Sequence, residues 1–254
     1  MTWDPAQYLR HADHRSRPFH DLVDRIPHSP AKVVDLGCGP GNTTATLTDR
    51  WPGAEIIGVD NSTEMIQQAL HDHPDVAFRL GDIAGYAPAQ DNPDLILSNA
   101  ALQWVPGHAD LFPRWIDGLP TRGVLAFQVP GNFGAPTHTL LAELRDSPRW
   151  AGRLADIHAP AVHQPAEYRQ RLTALGCTVD AWEWTYDQVL TGDNPVLDWM
   201  LGTGLRPVLA ALTDPADREA FLAEYGALLA EAYPATPHGT VLPYRRIFAV
   251  AVKN

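Results

Sequence analysis

The residues with the most definite chemistry lie in one run, Val33 to Gly41 (VVDLGCGPG). Asp35 stands two positions ahead of Gly37, and Gly39 and Gly41 follow at alternate positions around Cys38 and Pro40. Glycines permit positive φ and let a ligand come close to the backbone. A turn that grips a pyrophosphate wants G-x-G-x-x-G at a helix N-terminus. D-x-G-x-G-x-G instead sets a carboxylate ahead of the first glycine, which opposes a pyrophosphate and suits a cationic, phosphate-free nucleoside. Asp60 closes the next apolar run (EIIGVD) and can accept hydrogen bonds from both ribose hydroxyls. The competing role is to cap the following helix, a task that Asn61 or Ser62 could equally perform. Asp82, in Gly81-Asp82-Ile83, is placed to meet a base amino group with Ile83 beside the ring; the alternative is a plain surface turn. The run Ser98 to Trp104 (SNAALQW) ends a fourth apolar stretch. There Gln103 can hydrogen-bond a substrate, and Trp104 either walls a pocket or packs in the core.

These groups need elements to hold them. Phe19, Leu22, Val23 and Ile26 fall at i, i+3, i+4 and i+7, one face of a helix. Lys32 to Leu36, Glu55 to Val59, Val76 to Leu80, Leu95 to Ser98 and Gly123 to Val129 read as buried strands. Helical patterns separate them. Thr44, Leu47 and Trp51 stripe one, stopped at Pro52-Gly53. Met65, Ile66, Ala69 and Leu70 stripe another, with Ser62 as N-cap and Glu64 in the first turn. Leu111, Phe112, Trp115, Ile116 and Leu119 stripe a third. The β-α-β-α order predicts an α/β fold with a mostly parallel sheet covered on both faces. Its switch point brings the fourth strand beside the first. Tyr168, Leu172 and Leu175 give a helix closed by Gly176. Cys177 to Leu190 and Thr240 to Val252 read as late strands, with an almost purely helical block from Asp193 to about Tyr233 between them. That block reads as an insertion, so residues 1–254 are expected to form one domain, with an N-terminal lid or helix over 1–30 and a helical substrate-binding insertion over 191–239.

Composition narrows the partners. With 19 basic and 30 acidic groups the formal net charge is −11, which repels phosphate backbones and argues against nucleic acid. An anionic small molecule would need its own arginines. Two cysteines, Cys38 and Cys177, are too few for a disulfide scaffold and lack a C-x-x-C pairing, so reduced thiols are expected. His71-Asp72-His73 and the spread His11, His14 and His20 lack metal-ligand spacing, so no metal is expected. The N-terminus has no apolar signal region and no run approaches a membrane span, which points to the cytoplasm. A monomer or weak homodimer is expected.

DLGCGPG, GVDNS, GDI and SNAALQWVP resemble the motifs of class I S-adenosylmethionine (SAM)-dependent methyltransferases. WDPAQYL, RSRP, QWVPGHADLFP, VPGNFGAPTH, TGLRPVL and the terminal RRIF are similar to the trans-aconitate 2-methyltransferase family in particular. The stretch from Leu144 to Val162 matches that family less clearly, and Arg245 stands where a non-basic residue is expected. The resemblance implies a Rossmann-like, seven-stranded sheet with its last strand antiparallel, SAM as methyl donor, and monomethyl esterification of a tricarboxylate, trans-aconitate. The implied cofactor set is Asp35, Gly37, Cys38, Gly39, Gly41, Asp60, Asn61, Met65, Asp82, Ile83, Asn99 and Ala100.

Esterification asks little beyond geometry. A carboxylate is ionised at neutral pH and is itself the nucleophile, so no general base is expected. The arginine fork is the preferred carboxylate holder. Arg17, Arg206 and Arg246, with Tyr8 and Tyr244 as hydroxyl partners and Gln103 and Trp104 beside them, form the expected substrate set. Arg15 and Arg245 read more naturally as solvated charges. The competing classes are a nicotinamide oxidoreductase, which the glycine spacing opposes, and a SAM-binding module without turnover. Within the methyltransferases, another small carboxylic acid or a natural-product hydroxyl is the alternative acceptor.

Overall fold

The computed structural model describes residues 12–155, 157 and 161–254. Seven strands are formed: β1 (Lys32–Leu36), β2 (Glu55–Asp60), β3 (Ala77–Leu80), β4 (Leu95–Asn99), β5 (Val124–Pro130), β6 (Cys177–Leu190) and β7 (Thr240–Lys253). Their order is β3-β2-β1-β4-β5-β7-β6. The pairs β1·β2, β1·β4, β2·β3 and β4·β5 are parallel, and β7 runs antiparallel to β5. The expected Rossmann-like sheet with a reversed last strand is therefore present, with β4 beside β1 at the switch point.

The chain divides into two compact units. Of the described residues, the sheet unit comprises 12–130, 161–184 and 246–254, and the helical unit 131–155, 157 and 185–245. Two of the unit boundaries fall inside strands, one in β6 and one in β7.

In the sheet unit, one sheet face is largely apolar, with the buried Ser98 donating its hydroxyl to the Leu36 carbonyl at 2.7 Å. Val34, Leu36, Ile96, Leu125, Phe127, Val129, Ile247 and Ala249 pack there with Phe112, Trp115, Tyr168 and Leu172. Continuous apolar strands are what a sheet buried on both faces demands. Ser62 caps the helix Thr63–Asp72, its Oγ accepting from the Met65 N–H at 3.3 Å. The Thr44 stripe is two four-residue helices, Asn42–Ala45 and Leu47–Arg50, rather than one helix, and Trp51 lies past the end. The first helix spans Ala12–Val23, so Ile26 packs beyond its terminus. Gly176 takes φ +80 after the helix Pro165–Ala174, as a C′ residue should.

The helical unit contains Pro136–Arg145, Ala151–Leu154, Pro195–Leu201, Arg206–Ala211 and Pro215–Ala232. The last three fill the stretch between β6 and β7. Trp150, Trp199, Phe221 and Tyr225 are wholly buried at the centre of its own core. Among the described residues, no helix is long and apolar enough to cross a membrane.

Candidate functional site

The carboxyl end of β1 feeds the glycine turn. Gly37, Gly39 and Gly41 all take positive φ, at +82, +57 and +79. They do different work. A Cβ on Gly37 would lie 2.2 Å from the Ala101 Cβ and 3.4 Å from Ile83 Cδ1. A Cβ on Gly41 would lie 2.6 Å from the Phe78 ring. Gly39 differs, because a Cβ there would meet nothing within 4 Å among the described residues. Gly37 and Gly41 let the turn pack down, and Gly39 leaves backbone open to a ligand. Gly37 also unites three expected segments, the glycine turn, the Gly81-Asp82-Ile83 turn and the end of β4.

Asp35 is buried. Its Oδ2 accepts from Thr44 Oγ1 at 2.6 Å, and its Oδ1 has no hydrogen-bond partner among the described residues. Burial pushes its carboxyl up to about 7; the Thr44 hydroxyl opposes this and Asp60 adds to it. A buried anion with an orphaned oxygen costs free energy unless a cation joins it. Asp60 accepts from the Gly39 N–H through Oδ2 and from the Ser62 N–H through Oδ1, both at 2.9 Å. Since Ser62 supplies the cap, the capping role for Asp60 falls away. Its carboxylate clamps the glycine turn to the end of β2 and keeps lone pairs for further donors. Burial raises the Asp60 carboxyl, and the backbone N–H groups pull it back. Cys38 donates its N–H to the Val59 carbonyl at 3.1 Å, and its thiol is buried and raised by that burial.

The end of β4 is strained. Ala100 takes φ +54, which costs about 1–2 kcal/mol for a non-glycine residue. It is held there by its N–H to the Gln128 carbonyl at 2.9 Å and by Gln103 Nε2, which donates to the Ala100 carbonyl at 2.6 Å. Asn99 Oδ1 and Gln103 Oε1 are buried with no partner among the described residues. Asp82 is exposed and its Oδ1 accepts from the Ala84 N–H at 3.2 Å, closing a turn. Asn61 is exposed, Met65 is buried within its helix and Trp104 is half-buried.

The expected substrate residues fall apart by environment. Arg246 is buried, and its Nη1 donates to Gln128 Oε1 at 3.3 Å. Arg17 is exposed and lies 3.9 Å from Asp21. Arg206 is half-buried at the head of its helix. Tyr244 is buried, its ring 5.2 Å from that of Trp199. Arg245 donates to the Gly131 carbonyl at 2.9 Å. Tyr8 and the Arg15 side chain lie outside the described residues.

Two residues escape sequence reasoning. Gln128 is the one amide in the apolar strand VLAFQVP; that interruption was a signal. His138 begins no recognisable pattern, yet it sits in the helical unit against Thr137 Oγ1 at 3.0 Å, with its ring 3.6 Å from where a Gly204 Cβ would be. Thus VPGNFGAPTH and TGLRP meet within that unit. Burial lowers His138 to about 4, so its imidazole is neutral at pH 7. Among the described residues, no group of three His, Cys, Asp or Glu is placed to hold a metal ion.

The arrangement fits a cationic nucleoside: an orphaned buried carboxylate, an open glycine backbone and a second carboxylate fixed at the end of β2. The comparisons agree with that geometry. A family model described as a methyltransferase domain matches residues 33–123, from β1 to the threshold of β5. A trans-aconitate 2-methyltransferase of Streptomyces avermitilis is 57% identical, covering 100% of this chain and 97% of that protein. One of Rhodococcus jostii is 49% identical, covering 98% of each. Among solved structures, the YcgJ protein of Bacillus subtilis matches with a TM-score of 0.56 at 18% identity, covering 93% of this chain and 99% of that one. A Haemonchus contortus phosphoethanolamine N-methyltransferase, in complex with S-adenosylhomocysteine, matches with a TM-score of 0.56 at 15% identity, covering 93% and 52%. These structures share the fold. The end-to-end identity goes further, and with the glycine turn it shows that the chain belongs to the trans-aconitate 2-methyltransferase family.

Proposed function

We propose that this chain transfers a methyl group from SAM to one carboxylate of trans-aconitate, giving S-adenosylhomocysteine and the monomethyl ester. What carries the proposal is the near-complete, 57% identical correspondence to a relative of that name. The buried Asp35 supports the donor half of it. Bound SAM supplies a methyl group activated by its sulfonium centre. Asp35 Oδ1 is the acceptor for the donor's ammonium group, and Asp60 keeps lone pairs for the ribose hydroxyls. Gly39 lets the backbone approach, and Asp82 and Ile83 serve the base.

The acid is already ionised at neutral pH and needs no base. His108 and His138 fit that economy, since burial lowers both to about 4 and leaves them neutral. What remains for the protein is alignment and exclusion of water, with reacting atoms about 3 Å apart. Within the sheet unit, Arg246 and Gln103 are proposed acid contacts. Within the helical unit, taken by itself, the proposed contacts are Arg206 and Tyr244. Residues 191–239 are proposed as the substrate-binding insertion of a single methyltransferase domain over 1–254; the first eleven residues of the expected N-terminal lid over 1–30 lie outside the described residues.

The test is turnover with SAM against a panel of mono-, di- and tricarboxylates, products identified by mass spectrometry. A methyl ester of trans-aconitate is expected. Preference for a hydroxyl or amine acceptor would overturn the proposal.

A further inference from the structure

One face of the sheet carries a polar strip at the carboxyl ends of its parallel strands. Asp35 pairs with Leu97 in register, Asn99 with Gln128, Gln128 with Phe248, and Pro130 with Arg246. Side chains alternate along a strand, so positions two apart share a face. Asp35, Asn99, Gln128 and Arg246 therefore project from the same side, opposite the face packed by Phe127 and Val129.

Gln128 is the anomaly in this strip. It is wholly buried in a strand whose every residue is buried. Arg246 Nη1 donates to its Oε1, which fixes the amide orientation, because a guanidinium has no use for the NH2 group. Its Nε2 has no partner among the described residues. A buried donor left unmade is a cost that leucine or methionine would avoid. The group that satisfies it must be an acceptor. Beside a buried guanidinium, an anion suits that place best.

The geometry points to Gln128 and Arg246 as a two-residue carboxylate clamp, in which the Gln128 NH2 and the Arg246 guanidinium grip a carboxylate of the acid acceptor. The clamp rests on the acid-methylating function proposed above. Gln128 is a binding residue in it, and Arg246 also sets the direction of its amide. A carboxylate is carried by the methyl donor as well as by the acid, so the experiment separates the two sources.

Gln128→Leu removes the donor. Gln128→Glu keeps an acceptor for Arg246 but replaces the NH2 with negative charge. Steady-state kinetics with trans-aconitate, calorimetry with S-adenosylhomocysteine and thermal melting are measured on both variants and on wild type. Losing a hydrogen bond to a charged group raises the KM for the acid roughly 10- to 100-fold. Gln128→Glu is expected to be the worse of the two, through repulsion of the acid. Affinity for S-adenosylhomocysteine is expected to stay within about 3-fold of wild type, below the discrimination of a lost hydrogen bond. A wild-type KM in Gln128→Glu would overturn the clamp, since Gln128 would then only position Arg246. A fall in S-adenosylhomocysteine affinity with unchanged acid KM would overturn it too, by assigning the carboxylate to the methyl donor. So would collapse of the fold in Gln128→Leu, because the amide would then have its essential partner inside the protein. Wild-type enzyme that esterifies no acid at all would sink the proposed function instead.

Discussion

The two units differ in where their buried polar groups find partners. In the helical unit they mostly fasten helices together. Tyr225 donates its hydroxyl to the Thr137 carbonyl, Trp150 donates its indole N–H to Glu224 at 2.9 Å, and Asn194 bonds the Gly226 carbonyl at 2.8 Å. Each joins one helix to another and is spent doing so, although Asn132 Oδ1 and the Gln188 amide are exceptions with no partner among the described residues. In the sheet unit, Asp35, Asn99, Gln103 and Gln128 each keep one buried polar atom unspent at the ends of β1, β4 and β5. Each unmade bond costs stability there, whereas the bonds of the helical unit tie its segments together. The same residue types thus mean different things according to whether the fold has already used their hydrogen bonds.

The largest expected effect comes from Asp35→Asn. It leaves a bound cation without its buried partner, and affinity for SAM should fall roughly 100-fold or more by calorimetry. Stability should move the other way. The native Asp35 pKa, about 7, lies above its ordinary 3.8. Between those values the native state holds a proton that the unfolded chain has released, so stability is lost as pH rises through this window. At pH 8 the ligand-free variant should therefore melt higher than wild type. Wild-type SAM affinity should weaken as pH drops below about 7, where Asp35 protonates, and the variant should lack that limb. A variant that binds normally would erase the contrast between spent and unspent groups.

Next comes Arg206→Ala, which asks whether the helical unit touches the acid at all. A KM for trans-aconitate raised roughly 10-fold or more, with SAM affinity unchanged, is expected for loss of a charged hydrogen bond. Unchanged kinetics would make that unit scaffold alone. The glycine pair sharpens the same contrast inside one turn. Gly41→Ala drives a methyl into Phe78 and should cost about 1–3 kcal/mol in chemical denaturation. Gly39→Ala meets open space, so beyond the cost of its positive φ its effect should appear in SAM binding. Smallest is Glu224→Gln in the helical unit. It removes the largely exposed pair with Arg149 but keeps an acceptor for Trp150, so less than about 1 kcal/mol should be lost and SAM affinity should not change.

Much of the sheet was legible because its signals are local. KVVDL and EIIGV become β1 and β2, the Ser62 cap and Gly176 stop sit where they were expected, and CTVDAWEWTYDQVL is one strand from Cys177 to Leu190. The Thr44–Trp51 stripe misled because its apolar spacing fits a helix even when the backbone breaks at Thr46. Gly131 to Ala155 gave no periodicity strong enough to place Pro136–Arg145, whose buried face is only Thr137 and Leu141.

The chain by itself pointed to the class of ligand that the turn after β1 would suit. A glycine's freedom, a carboxylate's charge and a strand-turn-helix order are properties of residues a few positions apart. It could not determine which polar groups would remain unsatisfied. Asp60 reads alike as cap or ribose acceptor until Ser62 is seen to cap and Gly39 to donate to the Asp60 carboxylate. Gln128 acquires meaning only when β7 returns antiparallel and sets Arg246 against its amide, 118 residues away. Hydrogen bonds between distant segments depend on strand register and burial, and only the folded chain decides those.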